Sequence, residues 1–225
     1  MLPPRQSLLI LIPVAYLLGS LPFGLLVGLW RGLDPRKAGS GNIGATNVGR
    51  LLGKRYFSLV LALDMLKGLI PMLIAGFLLR GQQLDRPAYL LWLLIGFAAI
   101  AGHMFSVFLR FKGGKGVATS TGVMLGVFPY YSLAGLVVVP MFLVVFKTTR
   151  YVSAASIAAA LSFPLAYVGI GLLEGWPLTG AQLPLLIFAC IVTLLILIKH
   201  RANIARLRAG TEHRAGRSGA ENLNE

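Results

Sequence analysis

Three short polar stretches interrupt an otherwise apolar chain, and each is built from residues that suit an anion. The first, Ser40–Arg50, reads SGNIGATNVGR and holds no acidic residue. Glycines such as Gly44 let the backbone turn and expose N–H groups, while Ser40, Asn42, Thr46 and Asn47 supply short donors. Arg50 adds a guanidinium fork that matches two phosphate oxygens. The second, residues 102–122, reads GHMFSVFLRFKGGKGVATSTG. Gly113, Gly114 and Gly116 surround Lys115, just ahead of a small-residue run that contains Thr119 and starts a helix. A helix begun there turns its unpaired N–H groups and positive dipole end toward the loop, which is a natural phosphate site. The third, residues 199–212, reads KHRANIARLRAGTE. His200 and Asn203 are three apart and share a helix face.

Each stretch also has a plainer reading. Gly, Ser and Asn are ordinary loop residues, a basic turn can serve only to set topology, and a basic tail can grip anionic lipid. Three close glycines around a lysine exceed what topology needs, and this favours phosphate. GGKG is not a nucleotide loop, because Gly116 stands where the pattern G-x-x-x-x-G-K-[ST] requires Ser or Thr. No nucleotide, cofactor or metal is expected: cysteine occurs once, at Cys190 in an apolar run, and the histidines are scattered.

The elements that must position these stretches are transmembrane helices. The chain has 225 residues, 56% hydrophobic and only 12% charged, yet its net charge is +14. A pI near 10.6 alone would suit a nucleic-acid binder, but mean hydropathy is +0.78 and apolar runs such as Leu8–Trp30 leave no room for a soluble fold. The pattern predicts an all-α polytopic membrane protein of about seven spans, at 7–29, 56–79, 88–109, 117–129, 132–146, 151–172 and 183–199. Residues 117–146 as one straight helix would be ~45 Å long against a ~30 Å hydrocarbon core, so Pro129 is read as a break between two crossings or a re-entrant pair. The split also sorts the cations. Seventeen of the 21 Lys and Arg fall in the loops 30–55, 110–116 and 147–150 and in the tail from Lys199 on, all on one face. That face is expected to be cytoplasmic, with the N-terminus outside and the C-terminus inside. Residues 1–213 read as one membrane domain and 214–225 as a polar, disordered tail. Asp64 and Lys67, three apart inside a span, form either an ion pair or a functional site. His103 reads as a satisfied interfacial histidine, and Glu174 as an interface residue on the far side.

In order and spacing, the three stretches resemble the signature motifs of the bacterial acyl-phosphate:glycerol-3-phosphate acyltransferase family, the PlsY type, over residues 30–212. The resemblance implies transfer of a fatty acyl group from acyl phosphate to the 1-hydroxyl of glycerol 3-phosphate, giving lysophosphatidic acid and phosphate. It implies neither acyl-CoA nor acyl carrier protein as donor. It places the enzyme in the bacterial inner membrane, with transient contact to an acyl-phosphate synthase and no nucleic acid. Acyl phosphate is an activated anhydride, so the protein must chiefly position two anions and neutralise growing charge. On that basis Ser40, Arg50, Lys115, His200 and Asn203 carry the chemistry. Asn42, Gly44, Thr46, Asn47, Gly113, Gly114, Gly116 and Thr119 bind substrate, the glycines through backbone N–H groups, and Glu212 supports the third stretch. Whether His200 or a substrate phosphate takes the proton is left open, as is which phosphate the glycine loop holds. An anion transporter is the rival reading; it would need a polar path through the spans, and these are apolar apart from Asp64 and Lys67.

Overall fold

A computed structural model of the chain describes residues 4–215, and those residues are helical with short connections. In chain order the helices are α1 (Pro4–Ser20), α2 (Phe23–Trp30), α3 (Ala45–Leu52), α4 (Lys54–Leu78), α5 (Arg86–Met104), α6 (Val117–Gly126), α7 (Tyr130–Thr149), α8 (Val152–Leu173), α9 (Leu183–Lys199) and α10 (Arg201–Arg208). Five segments are long and apolar enough to cross a bilayer: Gln6–Trp30, which takes in α1 and α2, then Lys54–Leu78, Arg86–Leu109, Tyr130–Thr149 and Val152–Leu173. A sixth, α9, bends by 58° into α10.

The expected span at 117–129 is shorter than foreseen. Helix α6 has ten residues, ~15 Å of rise against a ~30 Å core. It still carries the chain inward from the basic end, because it packs closely on α4. A Cβ on Gly68 of α4 would collide with the Thr119 carbonyl, and one on Gly122 of α6 with the Met65 carbonyl. With α6 so placed, α7 starts at the opposite end, where the Tyr89 hydroxyl donates to the Tyr130 hydroxyl (2.7 Å) and Arg86 Nε donates to the Gly180 carbonyl (3.0 Å). The break at Pro129 is thus where the sequence put it.

The basic segments gather at the other end of the bundle. Lys199 Nζ donates to the Met104 carbonyl at the end of α5 (2.7 Å), and the Ala215 N–H donates to the Arg150 carbonyl (2.8 Å). Arg214 Nε also donates to the Tyr151 hydroxyl (3.1 Å). The foreseen tail therefore starts as an ordered contact at Arg214 and Ala215; residues 216–225 lie outside the described residues. One apolar core runs through the bundle from Leu8 to Ile196, with the fully buried Tyr131 and Tyr167 edge-to-face within it. Many bundle-facing residues are small, such as Ala99, Ala155 and Ala189. Small residues let helix backbones approach where lipid offers no hydrophobic drive for association.

Candidate active site

The first polar stretch is shaped around Asn47, which is only 2% exposed. Its Nδ2 donates to the carbonyls of Pro35, Ala38 and Asn42 at 3.0, 3.1 and 2.8 Å. Its Oδ1 accepts from the Ser40 N–H at 2.8 Å and from Arg50 Nη1 at 3.4 Å. One amide therefore ties the loop 35–42 to α3. Gly39 and Gly41, on either side of Ser40, take positive φ (+59° and +68°), and the Asn47 Oδ1 fills the space where a Gly39 Cβ would stand. Asn42 Oδ1 accepts from the Gly44 N–H (2.8 Å) and so turns the chain into α3. Asn47, expected as a substrate donor, spends its side chain on shaping the loop, whereas Asn42 uses only its Oδ1 for this. Ser40 and Arg50 remain exposed on its rim, and Thr46 and Gly44 are half-buried. Substituting Asn47 with alanine should strip the loop of these bonds and leave buried carbonyls unpaired, at about 1–3 kcal/mol. The check is a lower melting temperature in detergent and faster proteolysis within 35–42; an unchanged loop would refute the role.

The glycine loop differs from its expected form. The Gly113 N–H donates to the Met104 carbonyl (3.2 Å) and the Gly114 N–H to the His103 carbonyl (3.0 Å). Both are engaged in holding the loop to the end of α5 and are not offered to a ligand. The glycines are needed for closeness instead: a Cβ on Gly113 would strike the His103 carbonyl, and one on Gly114 would strike His103 Nε2. Gly116 has φ +84° and stands directly before α6. The N–H groups free for an anion by helix geometry are those of the first turn of α6, from Val117 on. The Thr119 side chain is fully buried, so it does not face a substrate as foreseen.

His103 is not an interfacial residue but a buried one, 5% exposed, lying between Gly114 and Asp64. Its Nδ1 is 3.6 Å from Asp64 Oδ1, which pairs with Lys67 Nζ at 2.8 Å. Lys67 also donates to the Leu21 carbonyl (3.0 Å) at the junction of α1 and α2. The two intramembrane charges thus form an ion pair beneath the glycine loop.

The third stretch closes the site. The His200 ring is buried at the bend between α9 and α10, with Nδ1 2.8 Å from the Ile196 carbonyl. A carbonyl can only accept, so Nδ1 carries a proton and, in the neutral ring, Nε2 presents the lone pair. Asn203 bridges two stretches: its Oδ1 accepts from Lys115 Nζ (2.7 Å), and its Nδ2 donates to Glu212 Oε1 (2.6 Å). Glu212 also accepts from Ser153 Oγ (2.8 Å) on Oε1 and from Arg206 Nε (2.7 Å) on Oε2. Burial raises the Glu212 pKa, but the bonds from Asn203, Ser153 and Arg206 outweigh it and hold the carboxyl below its usual range. Burial pushes the Lys115 ammonium down to about 8, with Arg206 and Arg50 adding repulsion and Glu212 opposing it. Arg50 is likewise lowered by burial first, and feels Glu212 and Arg206. The second and third stretches therefore meet at Asn203 and Glu212, and Arg50 of the first is near enough for its charge to act on Glu212 and Arg206. Such an excess of positive charge, partly out of water, suits a phosphate dianion.

Two members of this site were not anticipated. Arg206 lies three residues beyond Asn203 on the same helix face, a spacing that could have singled it out from the other arginines of the tail. Ser153 comes from the first turn of α8 and has no neighbouring signal in sequence.

Beside the charged cluster an apolar groove opens among α6, α7, α8 and α9, lined by Val117, Met124, Val138, Phe163, Val192 and Ile196. Val117 is two residues past Lys115, and the Ile196 carbonyl holds His200. The polar site and the groove are therefore adjacent, which is the layout required to hold the ionic head and the chain of one lipid.

Residues 9–210 match the family model for glycerol-3-phosphate acyltransferase. The chain belongs to the glycerol-3-phosphate acyltransferase family. Its relatives include the glycerol-3-phosphate acyltransferase of Geotalea daltonii, 47% identical over 92% of this chain and 97% of the relative. That of Aquifex aeolicus is 44% identical over 92% and 98%. Among solved structures, the glycerol 3-phosphate form of the integral membrane acyltransferase PlsY (YgiH) superposes with a TM-score of 0.80, at 42% identity, covering 97% of this chain and all of that one. The lysophosphatidic acid form of PlsY gives 0.77 at 43% identity. The glycerol-3-phosphate acyltransferase family match thus covers the first two polar stretches, the third as far as residue 210 and the helices between them, and the protein is an all-helical integral membrane acyltransferase.

Proposed function

We propose that this acyltransferase moves a fatty acyl group from acyl phosphate to the 1-hydroxyl of sn-glycerol 3-phosphate. The products are lysophosphatidic acid and inorganic phosphate. The observation that carries the reading is the cluster of Arg50, Lys115 and Arg206 around Glu212, set beside an apolar groove. The related PlsY structures in glycerol 3-phosphate and lysophosphatidic acid forms support the acceptor and the product.

The donor head group and the acceptor are both phosphates, and the site supplies cations from three separate segments to hold them together. Lys115 and the first turn of α6 receive the acyl-phosphate head, with the chain in the groove. Arg50, Ser40 and Arg206 hold glycerol 3-phosphate, and Asn203, bonded to both Lys115 and Glu212, fixes the Lys115 ammonium beside it. The hydroxyl oxygen attacks the acyl carbonyl carbon, forming the new ester bond. The carbon–oxygen bond to phosphate then breaks, and phosphate departs with the electron pair. The hydroxyl proton passes to a phosphate oxygen or to His200 Nε2. The cations stabilise the charge that grows on the carbonyl oxygen and the leaving phosphate. Among the described residues no base is bonded to the Ser40 side chain that would mark a covalent nucleophile.

The site is read as facing the cytoplasm across the bacterial inner membrane, because 17 of the 21 Lys and Arg fall in the loops and C-terminal stretch that the sequence assigns to that side. An acyl-phosphate synthase on that side would deliver the donor. The purified enzyme in lipid should form lysophosphatidic acid from acyl phosphate and glycerol 3-phosphate, and none from acyl-CoA or acyl carrier protein. Equal rates from acyl-CoA would overturn the donor assignment. A trapped acyl ester on Ser40 after incubation with donor alone would replace direct attack by a two-step route.

A further inference from the structure

The loop that joins α5 to the glycine stretch carries a feature the reaction does not use. Arg36 from the first basic loop and Arg110 and Lys112 from this one line a recess of about 380 Å³, floored by Phe108 and Leu109. Arg36 pairs with Asp34 (2.7 Å), so the recess holds three cations against one neighbouring carboxylate. Phe108 is 57% exposed and the adjacent Phe111 61%. Arg110 and Phe111 sit at φ +49° and +63°, a left-handed conformation costly for side chains of their size. The Phe111 N–H donates to the Ser106 carbonyl (2.8 Å) and the Lys112 N–H to the Leu109 carbonyl (3.0 Å), so the strained turn is held in place.

We propose that this recess binds the phosphate of an anionic membrane phospholipid, with the lipid chains lying along Phe108 and Phe111. Charge complementarity names the phosphate. The exposed phenylalanines on the same turn name a lipid rather than a soluble anion, since a free phosphate gains nothing from an apolar flank. The recess is distinct from the reaction site: among the described residues, no hydrogen bond or ion pair joins the side chains of Arg36, Arg110 or Lys112 to Lys115, Asn203 or Glu212.

The test uses the full-length protein purified in detergent, with phosphatidylglycerol as the probe and native mass spectrometry as the readout. The variants are Arg110→Gly and Lys112→Gln. Glycine is at ease at φ +49°, so Arg110→Gly removes the guanidinium while relaxing the backbone. We expect each variant to lose the bound phosphatidylglycerol by about tenfold, with phosphatidylcholine binding and acyl transfer unchanged; tenfold corresponds to about 1.4 kcal/mol. Retention of phosphatidylglycerol by both variants would overturn the proposal. So would full displacement of the lipid from the wild type by millimolar inorganic phosphate, which would assign the recess to a soluble anion. The mass measurement does not depend on catalysis, so a failure of the acyl-phosphate reading would leave this result intact.

Discussion

Replacing Lys115 with methionine should lower kcat/KM for acyl transfer by about a thousandfold, with the protein still inserted and folded. Lys115 is the only lysine in the charged cluster, and its ammonium lies 2.7 Å from Asn203 at the start of α6. Removing one preorganised donor to a developing oxyanion costs about 10²–10³ in rate. Lys115 also supplies a full charge in a partly dry site, which places the loss at the upper end. Stability should change little, because burial already works against the charge and holds the group near 8. The same shift sets a pH dependence. The ammonium is present below about 8 and is lost as pH rises through that value, so kcat/KM of the wild type should fall on the alkaline side. In Lys115→Arg the guanidinium stays charged, and any residual activity should lack that alkaline fall. Steady-state kinetics over pH 6–10 on both proteins is the check. A Lys115→Met enzyme within tenfold of the wild type would remove Lys115 from the chemistry.

Asp64→Ala should be the most destabilising change in the membrane interior, by about 3–5 kcal/mol, the range for breaking a buried ion pair from one side. Asp64 is 3% exposed and Lys67 2%, so among the described residues the remaining ammonium would keep the Leu21 carbonyl and the face of the Phe23 ring but no counter-charge. The loss should spread to the reaction. Asp64 lies beside His103, and His103 packs against Gly114, so the glycine loop would lose part of its floor. The double variant Asp64→Leu with Lys67→Met should recover most of the stability, since it removes both charges and keeps the volume. Thermal unfolding in detergent distinguishes the cases. If the single variant melts with the wild type, the pair does not hold the helices. If the double variant is as unstable as the single, packing rather than charge is at stake.

The class of protein, its helical spans and the three polar stretches that stand out from them were legible in the sequence because each rests on local chemistry. A run of ~20 apolar residues reports bilayer thickness, a biased loop reports sidedness, and glycines with arginine or lysine report an anion. The break at Pro129 followed from length and charge alone. The roles within the stretches did not follow in the same way. Asn47 has the right side chain to grip a substrate, yet it is turned inward by carbonyls at Pro35 and Ala38 that adjoin it only after the loop folds. Gly113 and Gly114 offer N–H groups in principle, yet the end of α5 takes them, and the need for glycine there comes from the contact with His103.

What the sequence determined, then, was which residues could meet an anion and on which side of the bundle they stand. Only the tertiary structure decided which of them come together. It bent α9 into α10 so that Asn203 joins Lys115 to Glu212 across 88 and 9 residues of chain, and it brought Ser153 from another helix to the same carboxylate. The physical reason is that a hydrogen bond depends on distance and direction in space, and neither is encoded by spacing along the chain once the partners lie on different helices.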